Sequence, residues 1–447
     1  MKRSLKRLSM ILLLVGLTAG LKAQNSFSIE EAIQYAILNN ENLKNARINI
    51  EDADAQVGET RADGLPQING RFSYINNPTL QSSIIDLSNF DPTVPEGTEG
   101  RVAFGIKNQA DLNISASQIL WDGSFFIGLK AAKKLREKVI VDEAKVVEDV
   151  KEQVMKAYYL VLVNQVRTDL VESNIATLDS TLNDTRQLYE NGFAEAIDVS
   201  RLQVQMNNLL AEQSAVRQSI TAASNLLKLT MGMAVETQIT LTDEIQEFDF
   251  SYDAAEVANY EVNNRIEAQQ LEYLKELAVL DIKNIKAKYI PTVNLTAAWG
   301  RNTGATEFSQ TWDSQRWFSY SNIGVNVNIP IFEGTRKKFT VERKKYQFET
   351  LQNQSLQLQN SLRQQLIDSK VALDVSVEKL RVQRETVDLA QEVLNTTTEK
   401  FREGIGSNLE LVVADQDYKQ AEVNFLIALY DAIVAKIDLD KSLGKLN

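Results

Sequence analysis

The sequence predicts a mixed fold in which strands of the transmembrane β-barrel type are joined to long helical hairpins of the coiled-coil type. Two observations carry this prediction. A compound pattern of strand, aromatic-acid-Gly corner, long helix, Gly turn and returning helix occurs twice, 211 or 212 residues apart. Each copy joins strictly alternating strands to a helix far longer than the globular average. The chain is therefore interpreted as a tandem duplication with four strands and two long helical hairpins.

The duplication is visible at separate points along the chain. The corner Trp121-Asp122-Gly123 aligns with Phe332-Glu333-Gly334, and the turn Tyr189-Glu190-Asn191-Gly192 aligns with Phe401-Arg402-Glu403-Gly404. Each match is weak alone, but their common order indicates one structural unit used twice.

The first 23 residues have the features of a secretory signal peptide. A basic start is followed by an apolar run at 10–17, and cleavage is expected after Ala23. A retained membrane helix is the alternative, but the run is shorter than the roughly 20 residues that span a bilayer. Residues 24–65 are expected to form a periplasmic helix that packs around the waist of the helical part of the molecule, which we call the equatorial region.

Composition argues against catalysis. The chain has no Cys and no His, which excludes disulfides and thiol chemistry and removes the commonest general base and metal ligand. Without the five basic residues that precede Gln24, 43 Lys and Arg face 60 Asp and Glu, a net charge of −17 that repels nucleic acid. A hydrolase with paired carboxylates is the enzymatic alternative. We therefore expect that the protein is not an enzyme and that it binds no cofactor, metal or nucleic acid.

Four segments alternate strictly between apolar and polar residues. Two lie in 66–121 around an external loop at 76–109, and two lie in 291–332 around an external loop at 300–321. Each segment has about 9 to 11 residues, enough to cross an outer membrane when tilted. A half-buried sheet of a soluble protein gives the same alternation and remains the alternative.

Aromatic residues favour the membrane interpretation. Tyr74 and Trp299 are placed near one end of their strands, and Trp121 and Phe332 lie just beyond the other end. Amphipathic rings at both rims are typical of the two membrane–water interfaces. These four residues are the predicted membrane-interface aromatics, in contact with outer-membrane lipid.

Four strands cannot close a membrane barrel, and an open edge in lipid leaves backbone groups unsatisfied. Several chains must therefore share one barrel. Two chains give eight strands, which fill their own interior, whereas three give twelve strands that leave a lumen.

Two long hairpins are predicted at 122–232, with a tip near 192, and at 333–447, with a tip near 404. Apolar residues recur every seventh position in both copies, which indicates supercoiled helices. A helix of roughly 60 residues is about 90 Å long. Residues 233–290 are assigned to the equatorial region and a connecting helix. A coiled-coil rod is the alternative for such helices in isolation. The first seam comprises Ile140, Val147, Val154, Val161, Thr168, Ile175, Leu182 and Tyr189, and the second comprises Leu366, Leu373, Leu380, Val387, Leu394 and Phe401.

With these elements in order, the chain resembles the TolC family of outer-membrane efflux and secretion channels. The resemblance covers nearly all of the mature sequence and is most specific at the strand end 329–334 and the turns 189–199 and 401–411. It implies a homotrimer with a twelve-stranded barrel and a periplasmic α-barrel. The implied function is the passive exit duct of a tripartite efflux or type I secretion system, gated at the periplasmic hairpin tips. The implied partners are a periplasmic adaptor (membrane fusion) protein and an inner-membrane pump, and the implied location is the outer membrane with a large periplasmic portion.

The resemblance also implies gate residues. In relatives an acidic ring narrows the entrance, and residue-by-residue transfer places Glu410 on that ring. The second carboxylate often found three residues later is Val413 here, and Asp415 lies nearby but out of register. Asp198 is the equivalent carboxylate of the first hairpin. Asp198 and Glu410 also have a structural interpretation, since an acid near a helix start interacts favourably with the macrodipole.

The tips themselves carry the predicted adaptor-docking residues Gly192, Phe193, Gly404 and Ile405. Gly192 and Gly404 also suit the turn, because glycine adopts a left-handed backbone without strain. The rival function is a non-conducting structural coiled-coil protein of the envelope or an adhesin, which would give no channel currents.

Overall fold

The computed structural model describes residues 25–245, 248–403 and 405–446. The predicted signal peptide and the tip residue Gly404 lie outside the described residues. The chain divides into two compact units. Unit 1 takes its described residues from Met1–Asn49, Val139–Leu271 and Gln354–Asn447, and unit 2 comprises Ile50–Lys138 and Glu272–Asn353. Within the described ranges, no helix combines the length and the apolar character needed to cross a membrane.

The elements alternate between short strands and long helices. The strands are β1 (Ser26–Phe27), β2 (Gln67–Asn76), β3 (Ser82–Asp86), β4 (Glu99–Ala103), β5 (Asn108–Trp121), β6 (Thr240–Leu241), β7 (Thr292–Ala305) and β8 (Phe318–Asn328). The helices are α1 (Ile29–Asn39), α2 (Glu41–Ala62), α3 (Gly123–Glu190), α4 (Ala196–Met231), α5 (Ala254–Ala258), α6 (Ile266–Ala287), α7 (Arg336–Arg402) and α8 (Asn408–Ser442).

Unit 2 contains an antiparallel sheet with the strand order β2-β5-β7-β8. The register aligns Phe72 with Leu112 and Leu112 with Arg301, and it aligns Ile114 with Trp299. Because alternate residues of a strand point to opposite faces, most apolar residues of the four strands share one face and most polar residues share the other, with Arg301 and Gln118 as exceptions on the apolar face.

Strand β7 is longer than the sequence predicts. It continues through residues 300–305, which were assigned to an external loop because they are polar and contain two glycines. Its neighbours β5 and β8 satisfy its backbone on both sides as far as Asn302, and β5 continues the pairing to Ala305. The ring of Tyr320 lies over Gly300, and its hydroxyl is 2.9 Å from an Asp111 carboxylate oxygen. A cross-strand ring thus covers the position where Gly offers no side chain to pack.

The external loop predicted at 76–109 is also partly ordered, because β3 and β4 pair there as a two-stranded antiparallel hairpin. Short 3-10 turns occupy Ser309–Trp312 and Ser314–Arg316 between β7 and β8.

Unit 1 contains α4, α8 and the larger parts of α3 and α7. The predicted seam is buried in its middle, at Val154, Val161, Leu366 and Leu373. Leu182 is buried as well, whereas Ile140 and Tyr189, at the two ends of the first seam, are exposed. Residues of α1, α3 and α4 form one apolar cluster, and Leu366 and Leu373 pack with residues of α8 in another.

The end of α4 is fixed against α1. Gly232 follows α4 with φ of 72°, and a Cβ there would lie 2.4 Å from the carbonyl oxygen of Asn39. Only glycine combines that backbone conformation with such a close approach. The Asn40 amide donates to the Thr230 carbonyl at 2.8 Å, which holds the two helix ends together.

A charged network joins α3 to α8 within unit 1. Lys441 donates to Asp149 at 2.7 Å and also pairs with Glu152. Lys156 contacts Glu152 at 2.6 Å and Asp438 at 2.5 Å. Partial burial opposes ionisation of both acids on α3, but their lysine hydrogen bonds outweigh it, so the pKa of Asp149 and the pKa of Glu152 are lowered.

Candidate channel entrance at the hairpin tips

The first tip is the turn between α3 and α4. Gly192 has φ of 80°, and the Phe193 N–H donates to the Leu188 carbonyl at 2.8 Å, so the turn closes the end of α3. The Phe193 ring is 82% exposed. A large apolar side chain with no cover in this chain is consistent with contact to another protein.

The second tip is the turn between α7 and α8. The N–H groups of Ile405 and Gly406 both donate to the Lys400 carbonyl at 3.0 Å. Ser407 caps α8, because its Oγ accepts from the Glu410 N–H at 3.2 Å. Ile405 is 74% exposed, so each tip presents one large apolar side chain.

Asp198 links the two tips. One carboxylate oxygen accepts from the Glu195 N–H at 3.2 Å and so caps α4, as the structural interpretation expects. The other accepts from the side-chain amide of Asn408 at 2.9 Å, which joins the starts of α4 and α8. The guanidinium of Arg201 lies 3.9 Å away. Asp198 is therefore occupied by contacts between the hairpins.

Asp415 is also occupied. It accepts a hydrogen bond from Gln205 on α4 and pairs with Lys419 at 2.5 Å. Val412, one turn nearer the tip, packs against an apolar cluster on the first hairpin. Asp415 thus belongs to the contact between hairpins. The cluster comprises Leu178, Leu182, Leu202, Met206 and Leu209.

Glu410 differs from the other two gate candidates. Its side chain is exposed, and within the described residues it has no hydrogen-bond or ion-pair partner. Val413 is exposed on the same face of α8, and Asp417 follows on that face one turn later. Sequence reasoning missed Asp417, although its spacing of seven from Glu410 follows the helical repeat. The exposed carboxylates of this face are therefore Glu410 and Asp417.

A polar cavity of about 530 Å³ lies between α3, α4 and α8. Arg167 and Glu212 form an ion pair of 3.1 Å at its wall. Tyr418 and Glu422 lie nearby on α8. Burial raises the pKa of Tyr418 to about 12 and also raises the pKa of Glu422.

Within the described residues, nothing covers most of the apolar face of the sheet. Ile323 is 82% exposed, and Ile68, Phe72 and Val325 are exposed as well. The opposite face carries Asn, Ser and Thr with Asp111. An uncovered apolar face of this size requires another apolar phase or partner.

Three of the four predicted interface aromatics lie near or beyond a strand end, and the fourth does not. Tyr74 lies near the end of β2, Trp121 is the last residue of β5, and Phe332 follows β8 and is 79% exposed. Trp299, however, lies in the middle of β7, because that strand continues to Ala305. In the register it is level with Gly70 rather than with Tyr74. The prediction that Trp299 lies near the end of its strand was therefore wrong.

Two rings that sequence reasoning missed stand beside Tyr74. Trp312 stacks on Tyr74 with centroids 6.2 Å apart and lies 6.3 Å from Phe72. Phe308 meets Tyr74 edge-on at 5.6 Å. The loop between β7 and β8 therefore supplies rings to the same rim, a contact that no local sequence pattern signals.

These long paired hairpins and the two-faced sheet form the fold that solved outer-membrane channels have. The solved outer-membrane channel CmeC of Campylobacter jejuni shares the fold with a TM-score of 0.70 at 15% identity, over 93% of this chain and 85% of that one. VceC of Vibrio cholerae gives a TM-score of 0.68 at 16% identity, over 93% and 96%.

The chain belongs to the outer membrane efflux protein family, whose model matches residues 32–233 and 262–445. It is 22% identical over 429 residues to the probable efflux pump outer membrane protein TtgC of Pseudomonas putida, covering 93% of this chain and 83% of the relative. It is 21% identical over 457 residues to the outer membrane protein TolC of Salmonella enteritidis, covering 99% and 87%. The resemblance to the TolC family and the outer-membrane location are confirmed.

Proposed function

We propose that this protein is the passive exit duct of a tripartite efflux system, built as a homotrimer and gated at its hairpin tips. The observation that carries the proposal is the sheet, which among the described residues has one uncovered apolar face, one polar face and two unpaired edges. No energy source of its own is required, since such a duct conducts along an existing gradient.

The sheet edges support a shared barrel. Within the described residues, β2 and β8 each pair on one side only, with β5 and β7 respectively. In lipid those open backbone groups would cost several kcal/mol each. Edge β8 of one copy can pair with edge β2 of the next, and three copies would close twelve strands around a water-filled lumen.

The side chains on the two faces of the sheet indicate which face would point outward when the barrel closes. The exposed Ile, Val, Leu and Phe side chains would meet lipid, and the Asn, Ser and Thr side chains would line the lumen. Tyr74, with Phe308 and Trp312, would stand at one membrane interface, and Trp121 and Phe332 would stand at the other.

The contacts between hairpins support a gate at the tips. Asp198–Asn408 and Gln205–Asp415 tie α4 to α8. Separation of the hairpins would break both and widen the entrance. Glu410, exposed and without a partner in the described part of the chain, would then form an acidic ring that favours cations.

The proposed partners follow from the tips and from the relatives. The relative TtgC carries the name probable efflux pump outer membrane protein. An inner-membrane pump is therefore the proposed source of substrate. A periplasmic adaptor would dock on the exposed Phe193 and Ile405.

The mass of the detergent-extracted particle tests the assembly. The 447-residue chain weighs 50.2 kDa, and we expect a particle of about three chains by light scattering corrected for detergent. A monomer that stays soluble without detergent would overturn the proposal. A trimer that carries no ionic current would support the rival structural rod instead.

A further inference from the structure

A positive patch of this acidic protein lies at one end of its sheet. The segments 283–290 and 330–345 contain nine Lys and Arg against two Glu, whereas the whole chain has a net charge of −12. We call the Lys and Arg of these two segments the basic patch. The first segment leads into β7 and the second follows β8, and the pair Thr292–Asn328 places both at the same sheet end.

The two segments are in direct contact within unit 2. Lys337 donates to the Lys288 carbonyl, and its ammonium lies 5.2 Å from the centre of the Tyr289 ring. A cavity of about 220 Å³ opens at this junction, and its charged lining residues are Arg336, Lys337 and Lys338 with the carboxylate of Glu333. The volume suits a small anionic group.

Most charge of the basic patch is not neutralised. Glu333 is shared between Lys337 at 2.8 Å and Arg336 at 3.7 Å, and Lys344 pairs with Asp281. Lys288 and Lys338 have no carboxylate partner among the residues described here, and both are exposed. The guanidinium side chain of Arg336 is 81% exposed. The cavity lining thus carries three cations against one carboxylate, and Lys288 adjoins it through the contact of its carbonyl with Lys337. A net positive lining attracts an anion, and arginine can bind phosphate through two N–H groups.

Exposed apolar side chains border the same cavity. Ile331 and Phe332 line it, and Ile331 is 92% exposed. Phe339 is also exposed, and its ring centre lies 5.7 Å from the ammonium of Lys338, a lining residue. Ile329 and Ile331 continue the alternation of the apolar face of β8. Basic side chains next to insertable apolar ones are the combination that binds a lipid headgroup and its acyl chains together.

We propose that the basic patch and its apolar border form a binding site for the phosphate of an anionic phospholipid headgroup. Lys288, Lys338 and Arg336 contact the phosphate. Phe332 and Phe339 pack beside the acyl chains. Such a site fixes the depth at which this end of the sheet sits in the membrane. The inference rests on the outer-membrane location and not on conduction.

The test compares lipids on the intact detergent-solubilised protein. Phosphatidylglycerol and phosphatidylcholine with the same acyl chains are titrated separately, and bound lipid is counted by native mass spectrometry. The patch variant carries Lys288→Gln, Arg336→Gln and Lys338→Gln. Its matched control removes three exposed cations of unit 1, Lys44→Gln, Arg363→Gln and Arg384→Gln.

We expect the wild-type protein to prefer phosphatidylglycerol. The patch variant should lose about a hundredfold in affinity for this lipid, because each of the three removed basic residues contributes about 1 kcal/mol. The control variant should keep the preference. Excess inorganic phosphate should leave the lipid bound. Equal binding of the two lipids by wild type, equal losses in both variants, or displacement of the lipid by inorganic phosphate would each overturn the proposal.

If the triple variant fails to assemble, Arg336→Gln alone gives a smaller readout, because its side chain is 81% exposed and its removal leaves the fold intact. One charge corresponds to about a fivefold loss. A channel that conducts ions without distinguishing these lipids would refute the lipid site and leave the proposed function standing.

Discussion

The contact between Asn408 and Asp198 offers a direct test of gating by separation of the hairpins. Asn408 is 7% exposed, and its amide donates to an Asp198 carboxylate oxygen at 2.9 Å. Asn408→Ala removes this bond but leaves the cap that Asp198 makes with the Glu195 N–H. If opening separates α4 from α8, the bond stabilises only the closed state.

The magnitude follows from the acceptor being a carboxylate. Such bonds contribute about 1.5–3 kcal/mol, and the 21% exposure of the Asp198 side chain favours the lower end. A loss of about 1.5 kcal/mol shifts the closed-to-open ratio about tenfold per subunit. In a trimer that opens in one step the three losses add, which gives about a thousandfold.

Single-channel recording in a planar bilayer measures the open fraction of this variant. Asn191→Ala is the matched control, since that amide donates at 2.8 Å to Gln187 within the first hairpin. The control should keep the wild-type open fraction. An unchanged open fraction in Asn408→Ala, or an equal rise in both variants, would refute the gating hypothesis.

Three further predictions concern ion preference and stability. Glu410→Ala should weaken cation preference, measured as a reversal potential in a salt gradient, because the exposed carboxylate is removed from the entrance. Tyr158→Phe should lower stability by about 1–2 kcal/mol, measured as the thermal midpoint, because the buried hydroxyl lies 2.8 Å from a carboxylate and from a carbonyl. Acidification should weaken the α3–α8 network. The folded pKa values of Asp149 and Glu152 are lowered below the ordinary 3.8 and 4.5, so their contribution is complete above about pH 4.5 and is lost as pH falls through the folded values. Lys441→Met should flatten this dependence of the thermal midpoint on pH.

Each of these predictions has a contrary outcome. Unchanged selectivity in Glu410→Ala would remove that residue from the entrance while leaving the fold intact. A thermal midpoint of Tyr158→Phe equal to wild type would mean that water replaces the lost bond. An acid-induced loss as steep in Lys441→Met as in wild type would assign the pH dependence to other carboxylates.

Periodicity in the sequence was sufficient to find the main elements. The seven-residue seam marked by Val154 and Leu373 falls on buried positions, because a repeat of seven keeps one helix face toward its neighbour. The alternation in β2, β5 and β8 likewise reflects one apolar and one polar face. Local patterns therefore identify elements whose burial is itself periodic.

The missed features depend on contacts between distant residues. Strand β7 continues past Gly300 because Tyr320 covers the glycine from a neighbouring strand. Trp312 reaches Tyr74 from a loop more than two hundred residues away in the chain. Spacing alone could not show that Asp415 bonds to Gln205 whereas Glu410 remains exposed.

Ionic conductance of the purified oligomer in a planar bilayer tests the central claim most directly. We predict discrete single-channel steps that favour cations, carried by a particle containing three chains. A detergent-purified trimer that inserts into the bilayer and passes no current would contradict the channel, whatever the outcome of the individual substitutions.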